Sequence, residues 1–187
     1  MRPHDADPAP RQRFEAIFTA CYGRVLAYAI RRSDDRATAE EATAETFVIA
    51  WRRLDAVPDD PLPWLLQTAR RVLANQRRAA RRRAPHGAAV PLSAVADRDP
   101  APSIPDRLAE RDAFAQSFSA LRPADREVLT LVALDGLRPK EAAQVLGCTA
   151  AVFSLRLHRA RRRLMRELAE RGHSPSRPSM AEGAQAR

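Results

Sequence analysis

Hydrophobic residues recur every three or four positions along most of the chain, which is the spacing of one buried face of an α-helix. A first run begins at Arg11. A second run, 33–54, opens with serine and aspartate suited to an N-cap and carries its arginines late, the order that the helix dipole favours. Three prolines mark a loop at 55–63, and a third helix is predicted at 64–83. The stripe of the first run contains Phe14, Ile17, Phe18, Cys21, Val25 and Leu26.

The third predicted helix has two unlike faces. Leu65, Ala69, Val72 and Gln76 share one face, as expected of a side that packs inward. Seven arginines and no acidic residue lie between positions 70 and 83, so the remainder of the helix is strongly basic. The residues that gather on the second face are Gln67, Arg71, Asn75, Arg78 and Arg82.

The stretch 84–105 contains five prolines and no helical periodicity, and it is predicted to be a flexible linker. Both ends of the chain, 1–10 and 171–187, are of low complexity and are predicted to be disordered. The sequence therefore predicts an all-α protein with two small helical domains, 11–83 and 106–170, of which the second is a helix-turn-helix domain.

Within the second domain, two successive helices are predicted to begin at a proline and to end at a glycine, Pro123 to Gly136 and Pro139 to Gly147. Another helix follows Thr149, which suits an N-cap. Its buried stripe consists of Phe153, Leu157, Ala160 and Leu164.

The opposite side of this last helix is small at its start and basic further on, and no acidic residue occurs from position 147 to 166. Small residues let a helix approach the major groove closely, and arginines bind phosphate or guanine. A solvated helix end and a general polyanion-binding helix are the alternatives. The candidate DNA-contacting residues are Thr149, Ala151, Ser154, Leu155, Arg156, His158, Arg159 and Arg162.

Composition narrows the class of function. The net charge is +9, and 31 of the 32 basic residues are arginine, which indicates a polyanionic partner such as nucleic acid. Cys21 and Cys148 are predicted to pack as free thiols, without a disulfide. We find no metal-ligand spacing, no cofactor motif and no catalytic motif, so neither a metal nor a cofactor is expected and the protein is not expected to be an enzyme. No apolar run suits a signal peptide or a membrane span, which predicts a cytoplasmic protein without a membrane partner.

At this point the chain resembles the extracytoplasmic-function group of bacterial RNA polymerase sigma factors, over about residues 12–168. The segment "LRPADREVLTLVALDGLRPKEAAQVLGCTAAVFSLRLHRARRRL" is similar to the C-terminal domain of that family. The segments "AEEATAETFVIAWRRL" and "PWLLQTARRVLANQRRAARR" are similar to its polymerase-binding helix and its promoter-melting helix. The order of these motifs, separated by a short linker, makes the resemblance specific.

The resemblance implies a protein that binds core RNA polymerase, recognises promoter DNA and has a cognate anti-sigma factor. Polymerase binding would involve Glu40, Glu41, Phe47 and Trp51, although Phe47 and Trp51 are equally well explained as core residues. The loop 57–63 and the basic face of the third helix would engage the downstream promoter element, and the last helix the upstream element.

Two positions depart from the family pattern. The polymerase-binding helix often has D-x-x-Q-x-x-F, where this chain has Glu41, Ala44 and Phe47, and the recognition helix often has G-T-V-K-S, where this chain has 151–155, "AVFSL". Two other hypotheses remain open from the residues alone. One is a helix-turn-helix regulator that binds DNA without polymerase, and the other is an architectural protein that binds nucleic acid without sequence preference.

Overall fold

The computed structural model describes residues 8–83 and 105–171. Residues 84–104 of the predicted linker and the outer parts of both chain ends lie outside the described residues, whereas Pro105, assigned to the linker, begins a helix. All regular structure in the described residues is helical, which confirms the predicted all-α class. The α-helices are α1 Pro8–Ile30, α2 Arg36–Arg52, α3 Pro61–Arg83, α4 Pro105–Ala120, α5 Pro123–Ala133, α6 Pro139–Leu146 and α7 Ala150–Glu170, with a short 3-10 turn at Leu54–Ala56.

Two helices begin earlier than the hydrophobic pattern predicted. Helix α1 begins at Pro8 rather than Arg11, and α3 begins at Pro61 rather than Trp64. Proline fits the first turn of a helix because the backbone N–H it lacks would have no partner there. The same prolines that indicated a loop before α3 therefore also start the helix.

The described residues group into two compact units. The first comprises 8–83 together with Thr130–Ser154, and the second comprises 105–129 together with 155–171. In the first unit, α1, α2 and α3 pack against one another. Alanines on α2, among them Ala39, Ala42 and Ala50, are fully buried and allow the helices to approach closely.

Several polar groups inside this first unit are paired with backbone oxygens. The hydroxyl groups of Thr43 and Thr46 are buried and donate to backbone carbonyl oxygens one turn earlier, each at 2.7 Å. The guanidinium of Arg13 donates to the carbonyl oxygens of Leu54 at 3.0 Å and Val57 at 2.6 Å, which ties the 3-10 turn to α1. These bonds offset the cost of burying the hydroxyl and guanidinium groups that form them.

The segment between α5 and α6 enters the first unit through Asp135. Its carboxylate forms ion pairs with Arg31 and Arg32, and its backbone oxygen accepts a hydrogen bond from Arg24 at 2.9 Å. The Asp135 side chain is only 2% exposed, and those of Arg31 and Arg32 are 19% and 13% exposed. Gly136 follows at φ +66°, a left-handed conformation that glycine adopts without strain. We call Asp135 and the three arginines that bind it, Arg24, Arg31 and Arg32, the Asp135 cluster.

The second unit also contains a buried carboxylate. Asp125, near the start of α5, is 8% exposed and accepts a hydrogen bond from the guanidinium of Arg163 on α7. On α4, the rings of Phe114 and Phe118 stack with their centroids 6.0 Å apart. Arg163 thus has a structural partner within the second unit.

Helix α2 is capped by Asp35. One carboxylate oxygen accepts from the backbone N–H of Thr38 at 2.7 Å and the other from its hydroxyl at 2.9 Å. These hydrogen bonds stabilise the ionised form and lower the pKa of Asp35 below its ordinary value. The cap is therefore strongest when Asp35 is charged.

We predict that Asp35→Ala lowers the thermal unfolding midpoint at neutral pH, because the N–H groups of the first turn lose their acceptor. Since the folded pKa is lowered, the advantage of wild type is complete above the ordinary aspartate pKa of about 3.9 and decreases as the pH falls through the folded value. The control is Asp35→Asn, which caps without titrating. A wild-type advantage over Asp35→Asn that stays constant through the acid range would contradict this account, with circular dichroism as the measurement.

The Asp135 cluster gives a second prediction. Asp135→Ala leaves two largely buried guanidinium groups without their carboxylate, and we expect the free energy of unfolding to fall by about 3 kcal/mol. Urea denaturation measures this change. Asp34→Ala, which removes an exposed carboxylate close to the same arginines in sequence, is the matched control and should change stability by less than about 0.5 kcal/mol. Equal stability of the two variants would show that the cluster does not hold the segment.

Candidate nucleic-acid interface

The turn between α6 and α7 is bounded by residues that cap the two helices. The Glu141 carboxylate accepts from the backbone N–H of Arg138 at 2.8 Å and also bonds the guanidinium of Arg138, and the side-chain hydrogen bond from Arg138 lowers the pKa of Glu141. Gly147 closes α6 at φ +66°. The hydroxyl of Thr149 then accepts from the N–H of Val152 at 3.3 Å, as predicted for an N-cap. The predicted helix–glycine–helix arrangement is thus confirmed.

Helix α7 has one buried side and one exposed side. Phe153 and Ala160 are fully buried, Leu157 is 6% exposed and Leu164 is half-buried, which confirms the predicted stripe. All the candidate DNA-contacting residues of this region are exposed. They are Thr149, Ala151, Ser154, Leu155, Arg156, His158, Arg159 and Arg162.

The arginines on the exposed side keep their charge available. Arg156, Arg159 and Arg162 form no ion pair with any part of the chain that the structure describes, whereas Arg163 on the flank pairs with Asp125. Because the helix has no acidic residue before Glu167, the positive charge of these three arginines is not compensated within α7. Such a surface attracts phosphates at short range.

One exposed residue on this side was not selected from the sequence. Val152 is 41% exposed and lies three positions before Leu155, which is 50% exposed. A valine is ordinarily assigned to the buried side, but its distance of one position from Phe153 places it about 100° around the helix from the buried stripe. The position of Val152 on the helix, rather than its residue type, is therefore the sequence signal that could have identified it as exposed.

Most, but not all, of the residues predicted for the basic face of α3 are exposed together on the helix surface. Arg71, Asn75, Arg78 and Arg82 are exposed, and Arg78 donates to the side-chain oxygen of Asn75 at 2.7 Å. Gln67 is half-buried, and its Nε2 donates to the backbone oxygen of Gln144 on α6 at 2.9 Å. Four of the five predicted residues thus form one exposed surface, while the fifth is used within the first unit.

On α2, the predicted polymerase-binding residues divide in the same way. Glu40 and Glu41 are exposed, and Glu40 accepts from Arg36 at 2.7 Å in an exposed pair one turn apart. Phe47 is 3% exposed, whereas Trp51 is half-buried.

The two aromatic residues of α2 belong to a cluster with α1. The centroid of the Phe47 ring lies 4.9 Å from that of Phe18 and 6.0 Å from that of Tyr22. The centroid of the Trp51 ring lies 5.1 Å from that of Phe14. Phe47 therefore packs as a core residue, one of the two interpretations that the sequence left open. Phe18 and Tyr22 remain 40% and 36% exposed at its edge.

Other kinds of site find little support in the described residues. Cys21 and Cys148 are free thiols, Cys21 buried and Cys148 half-buried, and burial raises the pKa of the Cys21 thiol. Among the described residues, no three His, Cys, Asp or Glu side chains gather where a metal ion could be held. None of the described helices is both long enough and apolar enough to cross a membrane.

Each half of the chain matches a known protein family. Residues 17–83 match the family Sigma-70 region 2, and residues 111–164 match Sigma-70, region 4. Helices α2 and α3 lie within the first match, and the turn and most of α7 lie within the second. The two exposed basic faces thus fall in two different family regions.

Individual relatives agree with this assignment. The ECF RNA polymerase sigma factor SigL of Mycobacterium tuberculosis is 30% identical over 151 residues, which cover 78% of this chain and 82% of SigL. The probable RNA polymerase sigma factor RfaY of Xanthomonas campestris is 34% identical over 166 residues, or 86% of this chain, but the chain spans only 42% of the length of RfaY.

A solved structure supports the fold. It is the sigma factor RpoE in complex with the anti-sigma factor NepR from Bartonella quintana, with a TM-score of 0.64 and 23% identity over 83% of this chain and 96% of that one. The likeness concerns the arrangement of helices alone. From the two family regions in this order and the extent of the match to SigL, the chain belongs to the extracytoplasmic-function (ECF) group of RNA polymerase sigma factors.

Proposed function

We propose that this chain binds core RNA polymerase and directs it to a promoter, with one basic helix face for each of two promoter elements. The observation that carries the proposal is that α3 and α7 each expose arginines without any neighbouring acid in the same helix stretch, and that each helix falls in a different sigma-factor region. We propose domains at 11–83 and 106–170, each of which encloses one family match.

The polymerase-binding surface is proposed on α2. Glu40 and Glu41 supply exposed negative charge, and the accessible part of Trp51 adds an apolar contact. Phe47 supports this surface indirectly, because its ring packs against α1 and so fixes the orientation of the exposed side of α2. Val48, 45% exposed and close to Glu41 and Glu45 on the helix surface, extends this side.

The downstream element and strand opening are assigned to α3 and to residues 57–63, which comprise the loop 57–60 and the first residues of α3. Opening a duplex exposes phosphates and unstacked bases, which basic side chains stabilise. Arg71, Arg78 and Arg82 supply that charge, and Asn75, held by Arg78, supplies a hydrogen-bonding amide. Gln67 joins this surface only if its bond to Gln144 opens.

The upstream element is assigned to the exposed side of α7 in the major groove. Its small first residues, Ala150 and Ala151, allow close approach, while Arg156, Arg159 and Arg162 contact phosphate or guanine. Each contact is salt-sensitive, and each domain alone binds DNA weakly. Attachment of both domains to one polymerase raises their effective concentration at the promoter, so the pair becomes selective.

A protein that activates polymerase in this way acts in the cytoplasm, where transcription occurs, and performs no covalent chemistry itself. Its proposed partners are core RNA polymerase, promoter DNA and an anti-sigma factor that covers its surfaces. RpoE, which shares the fold, is found in complex with such a factor. The chain's own exposed aromatic edge and basic faces are the surfaces available for that partner.

The decisive experiment is run-off transcription with purified core polymerase on fragmented genomic DNA, with and without the full chain. We expect discrete new transcripts only when the chain is present. A chain that shifts specific DNA equally well without polymerase would instead be a stand-alone regulator, and binding without sequence preference would indicate an architectural protein. Either result would overturn the proposal.

Two arginines test the assignment of the upstream surface. Arg159→Ala combined with Arg162→Ala should reduce transcription from the chain's promoter by about 10- to 100-fold and leave association with polymerase unchanged. If both contact phosphate, the slope of log binding constant against log salt concentration falls by about two.

The control for that variant removes two exposed arginines outside the proposed surface, Arg122→Ala with Arg161→Ala. This variant carries the same loss of net charge and should keep most of the activity. Equal losses in the two double variants would mean that only total charge matters, and the upstream surface would be assigned wrongly.

A further inference from the structure

We propose that α7 recognises thymine in the upstream promoter element through methyl contacts made by an apolar patch of Ala151, Val152 and Leu155. This inference rests on the proposed function and specifies which base chemistry the helix selects. It is carried by the position and exposure of these three side chains in the described structure.

The three residues occupy adjacent positions on the first two turns of α7. Leu155 follows Ala151 by four residues and Val152 by three, so their side chains are neighbours on one helix surface. All three are exposed, Val152 by 41% and Leu155 by 50%. Leu155 lies close to the middle of the exposed side, roughly opposite the buried Phe153 and Ala160 in helical projection.

A single exposed leucine is common on protein surfaces and indicates nothing by itself. Here the apolar patch is bordered on the next turns by Arg156, Arg159 and Arg162, which have no ion-pair partner in the described part of the chain. This charge matches a phosphate backbone on either side of a groove. An apolar partner protein would find the same patch surrounded by uncompensated charge, so the observations favour DNA as the occupant.

In the major groove, the C5 methyl of thymine is the apolar group that a base edge presents in B-DNA. Donors and acceptors on the remaining edges need polar side chains. On the exposed side, the N-cap and the first two turns of α7 offer three of these, Thr149, Ser154 and Arg156, and only Arg156 is long and charged. The Thr149 hydroxyl already accepts a bond from the Val152 N–H as the cap. Methyl recognition is therefore the base contact that Ala151, Val152 and Leu155 are equipped to make, beside any contact of Arg156 with phosphate or guanine.

The test replaces thymine by deoxyuridine, which pairs identically and lacks only the methyl group. Each thymine of the upstream element, in the promoter found by run-off transcription, is replaced in turn, and holoenzyme containing the full chain is assayed for binding and transcription. We expect about a fourfold loss at one or two positions, the effect of no longer burying one methyl group. Replacement outside the upstream element should have no such effect.

The matched variants assign the loss to the patch. Leu155→Ala should bind the thymine promoter more weakly and lose the distinction between thymine and deoxyuridine at the same position. Leu134→Ala removes another leucine that is 46% exposed, outside α7, and should keep the full distinction. Circular dichroism checks that both variants remain helical.

Four results would overturn the inference. These are an upstream element without thymine, a wild-type holoenzyme indifferent to every replacement, a Leu155→Ala variant that keeps the full distinction, or one that loses polymerase binding instead. In each case specific transcription by the wild-type chain would still support the proposed function. Absence of any chain-dependent transcript from ordinary thymine DNA would instead refute the proposed function itself.

Discussion

The pairing of Asp135 with Arg31 and Arg32 is the interaction on which the arrangement of the first unit depends. A carboxylate that is 2% exposed is costly to bury unless opposite charge and hydrogen bonds replace its water. Both guanidinium groups come from the turn directly after α1, about a hundred residues earlier in the chain. The turn that starts the helix-turn-helix is thereby fixed, and Gly136, Pro139 and Gly147 then determine where α6 begins and ends.

Helical periodicity accounts for most of what the sequence predicted correctly. It identified the buried stripe of α7 from Phe153 to Ala160 and the buried side of α3 at Leu65 and Ala69, because burial repeats with the turn of the helix. Helix starts were less well predicted, since proline both breaks one element and begins the next, as at Pro61. These local rules need only neighbouring residues.

The contacts between residues far apart in the sequence could not be predicted from such local rules. Nothing in the pattern of α3 indicates that Gln67 donates to Gln144, because the two residues are 77 positions apart and the bond depends on how α6 packs. The burial of Phe47 among rings from α1 is of the same kind, and the sequence left it undecided. Membership in the sigma-factor family came from motif order, whereas the chemistry of the α7 patch came only from the exposure of Val152 and Leu155.

Every fixed positive charge in α3 and in α7 belongs to an arginine, and the sole lysine side chain of the protein, that of Lys140, is on α6. A guanidinium keeps its proton at any pH at which a protein remains folded, and lysine acetyltransferases have no amine to modify on either surface. The arginines of these two helices therefore keep their charge across the pH range of a cell and cannot be acetylated as lysines are. A molecule that physically covers these arginines would be a way to silence both surfaces that leaves their charge unchanged.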